Sequence, residues 1–321
     1  MEKRDSINRI EEFLTGARDK EFIRQTTPDG FMELTAYYIL PGIYLTLNDI
    51  HTELVPVSQS SLSQQLLLMN YCMEGRCEFR ISDDSYSYLS NRLMNISSRM
   101  AQDYFYYPSS CYKGYEIYIL PARFTDKTRD ILHLFHIDVD ELISLYTDGA
   151  AFYVSDTVLR LWNQVSLSHA SGNIGQLRLD TLQLLKHFHD SKPTDTPNLV
   201  YLSKVQVLLA KKAQEMLTQN LNQHFSIKSV SEALAISETS LKRYFLSVYG
   251  TTISAYMNEV RMKHAAELLA DSNLSISEIA RACGYVNQGR FAGIFRKYYG
   301  MKPLDYRRKS RLREAAASTS S

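Results

Sequence analysis

Cysteine and histidine are the residue types in this chain that most often bind metals or take part in redox chemistry. The four cysteines, Cys72, Cys77, Cys111 and Cys283, are too few and too scattered for a disulfide framework. The Cys72-x4-Cys77 pair has no companion pair to complete a four-ligand zinc site. We therefore expect buried, unreactive thiols in a reducing environment.

Four of the eight histidines form two close pairs, His133-x2-His136 and His187-x-His189, in segments with helical periodicity. Neither pair has an acidic partner at a spacing typical of a metalloenzyme. A barrel-type metal oxygenase needs a His-x-His pair among the strands, and His51 is the only histidine before residue 130. The sequence thus predicts no enzyme activity, no metal and no cofactor.

Two other stretches carry polar side chains suited to recognition. They supply Thr239, Ser240, Lys242 and Arg243, then Asn287, Gln288 and Arg290, with Arg296 further along. Glutamine and arginine have planar groups whose paired hydrogen bonds match the edges of adenine and guanine. Any one of these residues alone could be an ordinary exposed side chain. Whether they bind DNA therefore depends on the secondary-structure elements that carry them.

Both stretches belong to a unit that the chain contains twice. "SIKSVSEALAISETSLKRYFLSVYG" aligns with "SISEIARACGYVNQGRFAGIFRKYYG" at an offset of 49, which becomes 50 after a one-residue insertion. In this alignment Val230 matches Ile279, and Leu241 matches Phe291. Because the matched positions are apolar, both copies should bury the same faces.

Each copy has the pattern of a short helix, a turn of three or four residues and a longer helix ending at glycine. We expect small residues where the two helices cross, Ala233 and Ala282, and turns at Ala235 and Gly284. This is helix-turn-helix geometry, in which the second helix protrudes. A protruding helix about 10–12 Å across fits the major groove of B-DNA.

The segment between the copies, "ISAYMNEVRMKHAAELLADSN", has no helix breaker for about eighteen residues. A single long helix here would hold both units rigidly, facing the same way. Two protruding helices about 34 Å apart would meet adjacent major-groove segments on one face of a duplex.

Residues 203–308 resemble the DNA-binding domain of the AraC/XylS family of bacterial transcription regulators. The resemblance lies in "RMKHAAELLADSNLSISEIARACGYVNQGRFAGIFRKYYGMKPLDYR" and in the earlier "SETSLKRYFLSVYG". It covers about a third of the chain. It implies that the side chains matching Thr239, Lys242 and Arg243 contact bases. Together with helix geometry it places Asn287, Gln288 and Arg290 at the entrance of the second recognition helix, and Arg296 later, near phosphate.

Gly289 and Gly293 depart from the family pattern, which often has a Ser or Thr and a basic residue at these positions. Each glycine within a helix costs about 0.5–1 kcal/mol relative to alanine. Either the backbone approaches DNA closely there, or the second unit discriminates less between sequences. The sequence favours the second interpretation.

The charge is divided unevenly along the chain. Residues 1–199 hold 18 Lys/Arg and 26 Asp/Glu, whereas residues 200–313 hold 18 Lys/Arg and 8 Asp/Glu. The balance of +10 in the second segment suits a polyanionic partner such as double-stranded DNA. Charge alone would equally fit a solvated basic face.

The N-terminal half has short apolar and aromatic stretches over residues 30–120 and helical periodicity from about 125 to 190. The strands predict an antiparallel barrel or double sheet, and the resemblance implies a small cupin-like barrel followed by a dimerising helix. Fourteen of the 22 tyrosines precede residue 200 and could line a ligand site or simply pack a core. Leu177, Leu184 and Phe188 form a stripe, with Thr181 in the same row, that could dock on the sheet or pair with its copy in another subunit.

We predict an α+β protein with three functional parts. They are an effector-binding and dimerisation domain over 1–190, a linker over 191–199, and a DNA-binding domain over 200–313 with helix-turn-helix units at about 226–250 and 275–300. A disordered tail is expected over 314–321. No signal peptide or long apolar run is present, which predicts a cytoplasmic protein without a membrane span.

The functional expectation is a sequence-specific regulator of promoter DNA, in which a small-molecule effector bound to the barrel activates transcription. A homodimer and contact with RNA polymerase are implied by the resemblance. In the alternative interpretation, the N-terminal domain only dimerises or docks a partner protein and binds no small molecule.

Overall fold

The computed structural model describes residues 18–56, 66–82, 84–98, 104–146, 150–191, 201–223 and 226–318. The chain divides into two compact units, Met1–Tyr201 and Leu202–Ser321. This division lies two residues from the predicted start of the DNA-binding domain at 200. Apart from Ser191, the predicted linker lies outside the described residues.

The N-terminal unit is built on antiparallel strands. They are β1 (Lys20–Thr27), β2 (Gly30–Leu40), β3 (Ile43–His51), β4 (Leu54–Pro56), β5 (Leu67–Ser82), β6 (Ser85–Ser90), β7 (Leu93–Ser97), β8 (Tyr104–Tyr106), β9 (Tyr112–Ile119) and β10 (Ala150–Tyr153). Within this unit the main order is β1-β2-β3-β9-β5-β6. β7 pairs with the first part of β5 and also with β10, whereas β4 and β8 form a separate pair.

The sheet is open, which corrects the prediction of a closed cupin-like barrel. Along the described strands, β1 and β6 stand at opposite ends of the main order and do not pair with each other. Register shifts at Tyr38/Leu40, Cys72/Glu74 and Arg80/Ser82 bend the strands without closing the sheet. Alternating apolar residues indicate which face of a strand is buried, but not whether the first strand meets the last.

One face of the sheet is covered by helices α1 (Asp126–Leu134), α2 (Val139–Leu145), α3 (Asp156–Ser171) and α4 (Ile174–Asp190). Each of these helices begins after a side chain that caps it, from Thr125, Asp138, Ser155 and Asn173 in turn. Trp162 of α3 is fully buried and stacks on Tyr71 at 5.0 Å and on Tyr115 at 5.6 Å.

The predicted stripe of α4 packs within this unit. Leu177, Leu184 and Phe188 belong to the same buried cluster as the sheet, and Thr181 is also fully buried. The first of the two alternatives, docking on the sheet, is therefore correct for these residues.

The C-terminal unit contains only helices after the extended residues Leu202–Ser203. They are α5 (Lys204–Thr218), α6 (Ile227–Ala233), α7 (Glu238–Tyr249), α8 (Ile253–Asp271), α9 (Ile276–Ala282), α10 (Gln288–Tyr299) and α11 (Pro303–Ser318). The two predicted helix-turn-helix units are α6–α7 and α9–α10, and α8 is the predicted single long helix between them.

Helix α11 continues to Ser318 and so includes residues 314–318 of the segment predicted as a disordered tail. The run Glu-Ala-Ala-Ala at 314–317 explains this extension, because alanine has the highest helix propensity. Among the described helices, none has both the length and the apolar character that crossing a membrane requires.

Candidate nucleic-acid interface

Both helix-turn-helix units bury the matched apolar positions. Leu241 and Phe291 are fully buried, as are Phe245 and Phe295. In the first unit Phe245 packs on Tyr249 at 4.4 Å and on Tyr256 at 5.3 Å between ring centroids. The corresponding distances in the second unit, from Phe295 to Tyr299 and Tyr306, are 4.6 Å and 5.4 Å. The repeat therefore extends one helix further than the sequence alignment predicted, because Tyr256 and Tyr306 keep the offset of 50.

The turns of the two units have the same backbone conformation. Ala235 has φ +53° and Gly284 has φ +76°, so both lie in the left-handed region. A Cβ atom at Gly284 would stand 2.5 Å from the Leu221 carbonyl oxygen, and glycine is therefore required there for space as well as for conformation.

The residues at the helix crossings differ from the prediction. Ala233 is exposed and Ala282 is only half-buried, whereas Ser231 and Ala280 are buried. Ser231 and Ala280 follow the buried Val230 and Ile279, so they share the face that meets the second helix. The small residues at the crossings are therefore Ser231 and Ala280.

Both recognition helices are capped by a side chain at the N-terminal end. Ser237 Oγ accepts a hydrogen bond from Ser240 N at 3.1 Å, and Asn287 Oδ1 accepts one from Arg290 N at 2.8 Å. The Ser237 hydroxyl also donates to Ser240 Oγ at 3.0 Å. These caps engage the hydroxyl of Ser240 and the carbonyl of Asn287, so base contact by Asn287 would depend on its amide nitrogen.

The structure places most of the predicted contact residues on the surface. Thr239, Lys242, Arg243, Asn287, Gln288, Arg290 and Arg296 are exposed, and Ser240 is half-buried. Lys242 Nζ pairs with Glu238 Oε2 at 3.3 Å. The Arg243 guanidinium lies 5.2 Å from the centre of the Tyr244 ring, and its hydrogen bond to the hydroxyl lowers the pKa of Tyr244. That these eight residues contact DNA stays a prediction.

Arg261 of α8 connects the second helix-turn-helix unit to the segment that precedes the first, a role that sequence reasoning missed. Its side chain is buried and donates a hydrogen bond from Nη2 to the Gln223 carbonyl at 3.2 Å, just before the first unit. The same guanidinium lies 5.9 Å from the Tyr285 ring in the turn of the second unit. Tyr285 in turn donates to Asn258 Oδ1 at 3.1 Å. The available signal was the position of Arg261 as the first residue of the stretch "RMKHAAELL", which lies in the resemblance to the family.

Part of the basic charge serves the fold. Arg307 Nη2 donates to the Leu274 carbonyl, and Arg311 Nη2 donates to the Ser272 carbonyl at 3.0 Å and to Asn273 Oδ1 at 2.8 Å. These arginines of α11 hold the loop between α8 and α9. The excess of +10 therefore overstates the charge that is available to a polyanion.

Comparisons with known proteins find sequence similarity in this C-terminal unit. Residues 230–309 match the family described as a helix-turn-helix domain. The transcriptional activator RhaR of Enterobacter sp. (strain 638) is 31% identical over 118 residues, which cover 37% of this chain and 40% of that protein. RhaR of Yersinia pseudotuberculosis (strain YPIII) is 36% identical over 93 residues, covering 29% of this chain and 32% of that protein. The C-terminal unit contains an AraC/XylS-type domain.

The chain thus spans less than half the length of these curated relatives, and the similarity lies in the AraC/XylS-type domain. Two solved structures are similar over the same share of the chain. The C-terminal domain of AraT from Geobacillus stearothermophilus has 32% identity and a TM-score of 0.31, covering 32% of this chain and 84% of that one. An AraC-type regulator from Chromobacterium violaceum has 25% identity and a TM-score of 0.31, covering 32% and 92%.

The N-terminal unit contains a cavity of about 460 Å³ between the 3₁₀ turn Pro121–Arg123 and helices α1, α2 and α4. Phe124, Leu132 and Ile137 form an apolar wall. His133, His136 and His189 also line it, so tertiary structure brings together three histidines that the sequence offered as two separate pairs. In the described part of the chain, no group of three or more His, Cys, Asp or Glu side chains could hold a metal ion.

A buried carboxyl group lies on the face of the sheet opposite the one that helices α1 to α4 cover. Glu116 of β9 accepts hydrogen bonds from Asn70 Nδ2 at 3.2 Å and from the Tyr118 hydroxyl at 2.5 Å. Burial raises the pKa of Glu116, and the Tyr118 hydrogen bond acts in the opposite direction. Asn48 is buried beside it, and its Oδ1 has no hydrogen-bond partner within the described residues.

The cysteines are free thiols, and three of them, Cys72, Cys77 and Cys283, are buried. Burial raises the pKa of Cys72 to about 12 and that of Cys283 to about 11, and it raises the pKa of Cys77 well above its usual range. Because the thiolate is the reactive form, these three are poor nucleophiles at neutral pH. The prediction of buried thiols is confirmed for these three cysteines.

Proposed function

We propose that this protein is a sequence-specific DNA-binding transcription regulator that uses both helix-turn-helix units and acts as an activator. The observation that carries the proposal is the pair of recognition helices, α7 and α10. Each buries its matched apolar face and leaves polar side chains exposed at the N-terminal end. The match of residues 230–309 to a helix-turn-helix family and the similarity to RhaR activators support it.

Helix α8 supports a common orientation of the two units, because it is in contact with both. Two recognition helices about 34 Å apart would occupy consecutive major-groove segments. One chain would then recognise a longer site than a single short helix can. The duplication has a functional reason under this proposal.

The proposal is tested by selecting duplexes with the full-length protein from a pool with a random central region. We expect enrichment of a defined sequence with two parts, one for each unit. Arg243→Ala should lower affinity by about 1–3 kcal/mol and relax the preference at one base position in the first part. Arg290→Ala should do the same in the second part.

Arg160→Ala is the matched control, because Arg160 is exposed on α3 of the N-terminal unit and should leave DNA affinity unchanged. If Arg243→Ala and Arg290→Ala weaken binding equally on every duplex, these arginines contact phosphate instead. If no sequence is enriched at all, the proposed function is wrong.

For the N-terminal unit we propose binding of a small-molecule effector that changes the regulator's activity. The cavity of about 460 Å³ is within the range of about 300–1,000 Å³ typical of ligand sites. Asn48 Oδ1, which has no hydrogen-bond partner among the described residues, is a further buried polar atom that a ligand could contact. A thermal-shift screen of the full chain against a metabolite collection tests this, and we expect at least one compound to raise the unfolding temperature.

The alternative is an N-terminal unit that only dimerises or docks a partner protein. Leu167 of α3 and Leu179 of α4 favour it, because they are 63% and 53% exposed. Sedimentation of the full chain, with Leu167→Lys and Leu179→Lys variants, tests self-association through these two exposed side chains. A screen without any hit, together with dissociation of a dimer by these substitutions, would favour the alternative. Under either version the regulator would act in the cytoplasm at promoters, with RNA polymerase as a further partner.

A further inference from the structure

The outward face of α10 has almost no side chains along its centre. Residues of an α-helix are about 100° apart around its axis, and Phe291 and Phe295 define the buried side. On the opposite side lie Gly289 and Gly293, one turn apart and both exposed. The flanks of this bare strip carry Arg290 and Arg296.

The first unit is different at the same positions. With the offset of 50, Gly289 matches Thr239 and Gly293 matches Arg243. Both residues of α7 are exposed and carry hydrogen-bonding groups. The two recognition helices therefore present different chemistry from equivalent backbones.

The fold does not require glycine at position 293. A Cβ atom there would meet no other atom within 4 Å, and the backbone is not left-handed. Alanine at this position should stabilise the helix by about 0.5–1 kcal/mol. Glycine at this position is thus unfavourable for folding alone. It does leave this surface open to close approach by another molecule.

At the N-terminal end of the bare strip stands Val286, the most exposed large apolar residue among those described, at 97%. Val286 is the residue inserted in the second unit, because Ile236 N and Tyr285 N donate to the matched Ser231 and Ala280 carbonyls and the next matched pair is Ser237 with Asn287. An apolar side chain in this position cannot form hydrogen bonds with base edges. In the major groove it can contact the methyl group of thymine, which no other DNA base carries.

We propose that the second unit recognises DNA by close approach of the α10 backbone, with Val286 against a thymine methyl group. This inference rests on the proposed function. The bare strip lets the helix lie deeper in the major groove than α7 does, while Arg290 and Arg296 flank it. Base discrimination in this half of the site then depends on shape and on the methyl group. The first unit uses hydrogen bonds instead.

Gly293→Ala tests the close approach, with the full-length protein and a duplex enriched from the random pool. We expect the unfolding temperature to rise or stay unchanged while affinity falls at least about tenfold, equivalent to about 1.4 kcal/mol. Gly175→Ala on α4 is the control, because that glycine is exposed and a Cβ atom there makes only ordinary contact. It should leave affinity unchanged. Unchanged affinity of Gly293→Ala would overturn the proposal.

The thymine contact is tested by replacing each thymine of the duplex in turn with deoxyuridine, which removes only the methyl group. For the unsubstituted protein, at least one replacement should weaken binding about threefold or more, equivalent to about 0.7 kcal/mol or more. Val286→Ala, which removes the two γ-methyl groups, should reduce the sensitivity at that position and keep it elsewhere. If Val286→Ala leaves every thymine effect intact, the assignment is wrong.

Failure of this inference can be distinguished from failure of the proposed function. If the pool yields no preferred sequence, the protein is not a sequence-specific DNA-binding protein and both fail. If a sequence is enriched and Arg243→Ala alters its preference, the proposed function stands. Null results for Gly293→Ala and for the deoxyuridine series would then overturn the inference alone.

Discussion

At the scale of single residues, the repeat shows two residue types that adopt the same backbone conformation. Ala235 and Gly284 occupy the same turn position with positive φ. A left-handed conformation costs an alanine about 1–2 kcal/mol, so the first unit contains strain that the second avoids. The space around the second position is also restricted, because the Leu221 carbonyl and the Arg261 guanidinium leave no room for a Cβ atom at Gly284.

Exchanging these residue types should change stability in opposite directions. Gly284→Ala is expected to lower the free energy of unfolding by about 2 kcal/mol or more, through strain and the clash with Leu221. Ala235→Gly should raise it by up to about 1 kcal/mol, because relief of strain outweighs the added freedom of the unfolded chain. Urea unfolding followed by circular dichroism measures both. Equal destabilisation by the two substitutions would contradict the strain at Ala235.

The buried carboxyl of Glu116 predicts a specific pH dependence. Its pKa is raised in the folded state, so the folded protein holds this proton more tightly than the unfolded chain does. Stability from this group is therefore present below the unfolded pKa and is lost as the pH rises through the folded pKa. Glu116→Gln keeps the shape and removes the titration.

We expect Glu116→Gln to lack this loss of stability as the pH rises, because the amide does not titrate. Thermal unfolding from pH 4 to 8, compared with the exposed control Glu215→Gln, measures the difference. An identical pH profile for Glu116→Gln and the unsubstituted protein would show that the carboxyl is not buried as described.

At the scale of elements, α8 is the part that makes two motifs into one domain. Its first half carries Tyr256, which packs on Phe245 and Tyr249 of the first unit. Its centre carries Arg261, and the Met262 carbonyl accepts a hydrogen bond from the Tyr299 hydroxyl of the second unit at 3.3 Å. The helix therefore holds both recognition helices through contacts on its own surface.

Removing the central contact should loosen the two units from each other. Arg261→Ala loses a hydrogen bond from a charged donor and a ring contact, and we expect a loss of about 2–3 kcal/mol in stability. Affinity for a duplex with both half-sites should fall, while tolerance of altered half-site spacing increases. Lys263→Ala, an exposed residue on the same helix, is the control. Unchanged spacing dependence in Arg261→Ala would contradict the connecting role.

At the scale of the whole molecule, the uneven distribution of charge matters most for association with DNA. The balance of −8 over residues 1–199 and +10 over 200–313 leaves the chain near neutrality as a whole. Counterion release depends on the local cations that meet phosphates, so net charge is a poor guide to salt dependence. Some cations of α11 are already bonded to backbone carbonyls.

We expect DNA affinity of the full chain to fall steeply with salt, with a log–log slope of about −4 or steeper. Lys297→Ala, exposed at the end of α10, should reduce the magnitude of the slope by about one. Arg311→Ala should lower stability without changing the slope, because its guanidinium holds the loop at Ser272. Fluorescence anisotropy at several salt concentrations separates the two. Affinity independent of salt would contradict the electrostatic argument.

The sequence alone determined the helical repeat, the long helix α8 and the exposed positions that we predict to contact bases in both units. These features depend on local information, namely periodicity, capping residues and terminal glycines, which lie within one or two turns of the residues they control. The positions of Thr239, Arg243, Gln288 and Arg290 could be predicted for the same reason.

Only the tertiary structure decided the rest. It showed the open sheet, the three histidines around one cavity, the crossing at Ser231 and Ala280, and the connecting role of Arg261. Each depends on groups far apart in the chain, such as Arg261 with Gln223 and Tyr285. Packing and burial decide which side chains come into contact when they are far apart in the sequence. Local periodicity carries no information about the contact partner.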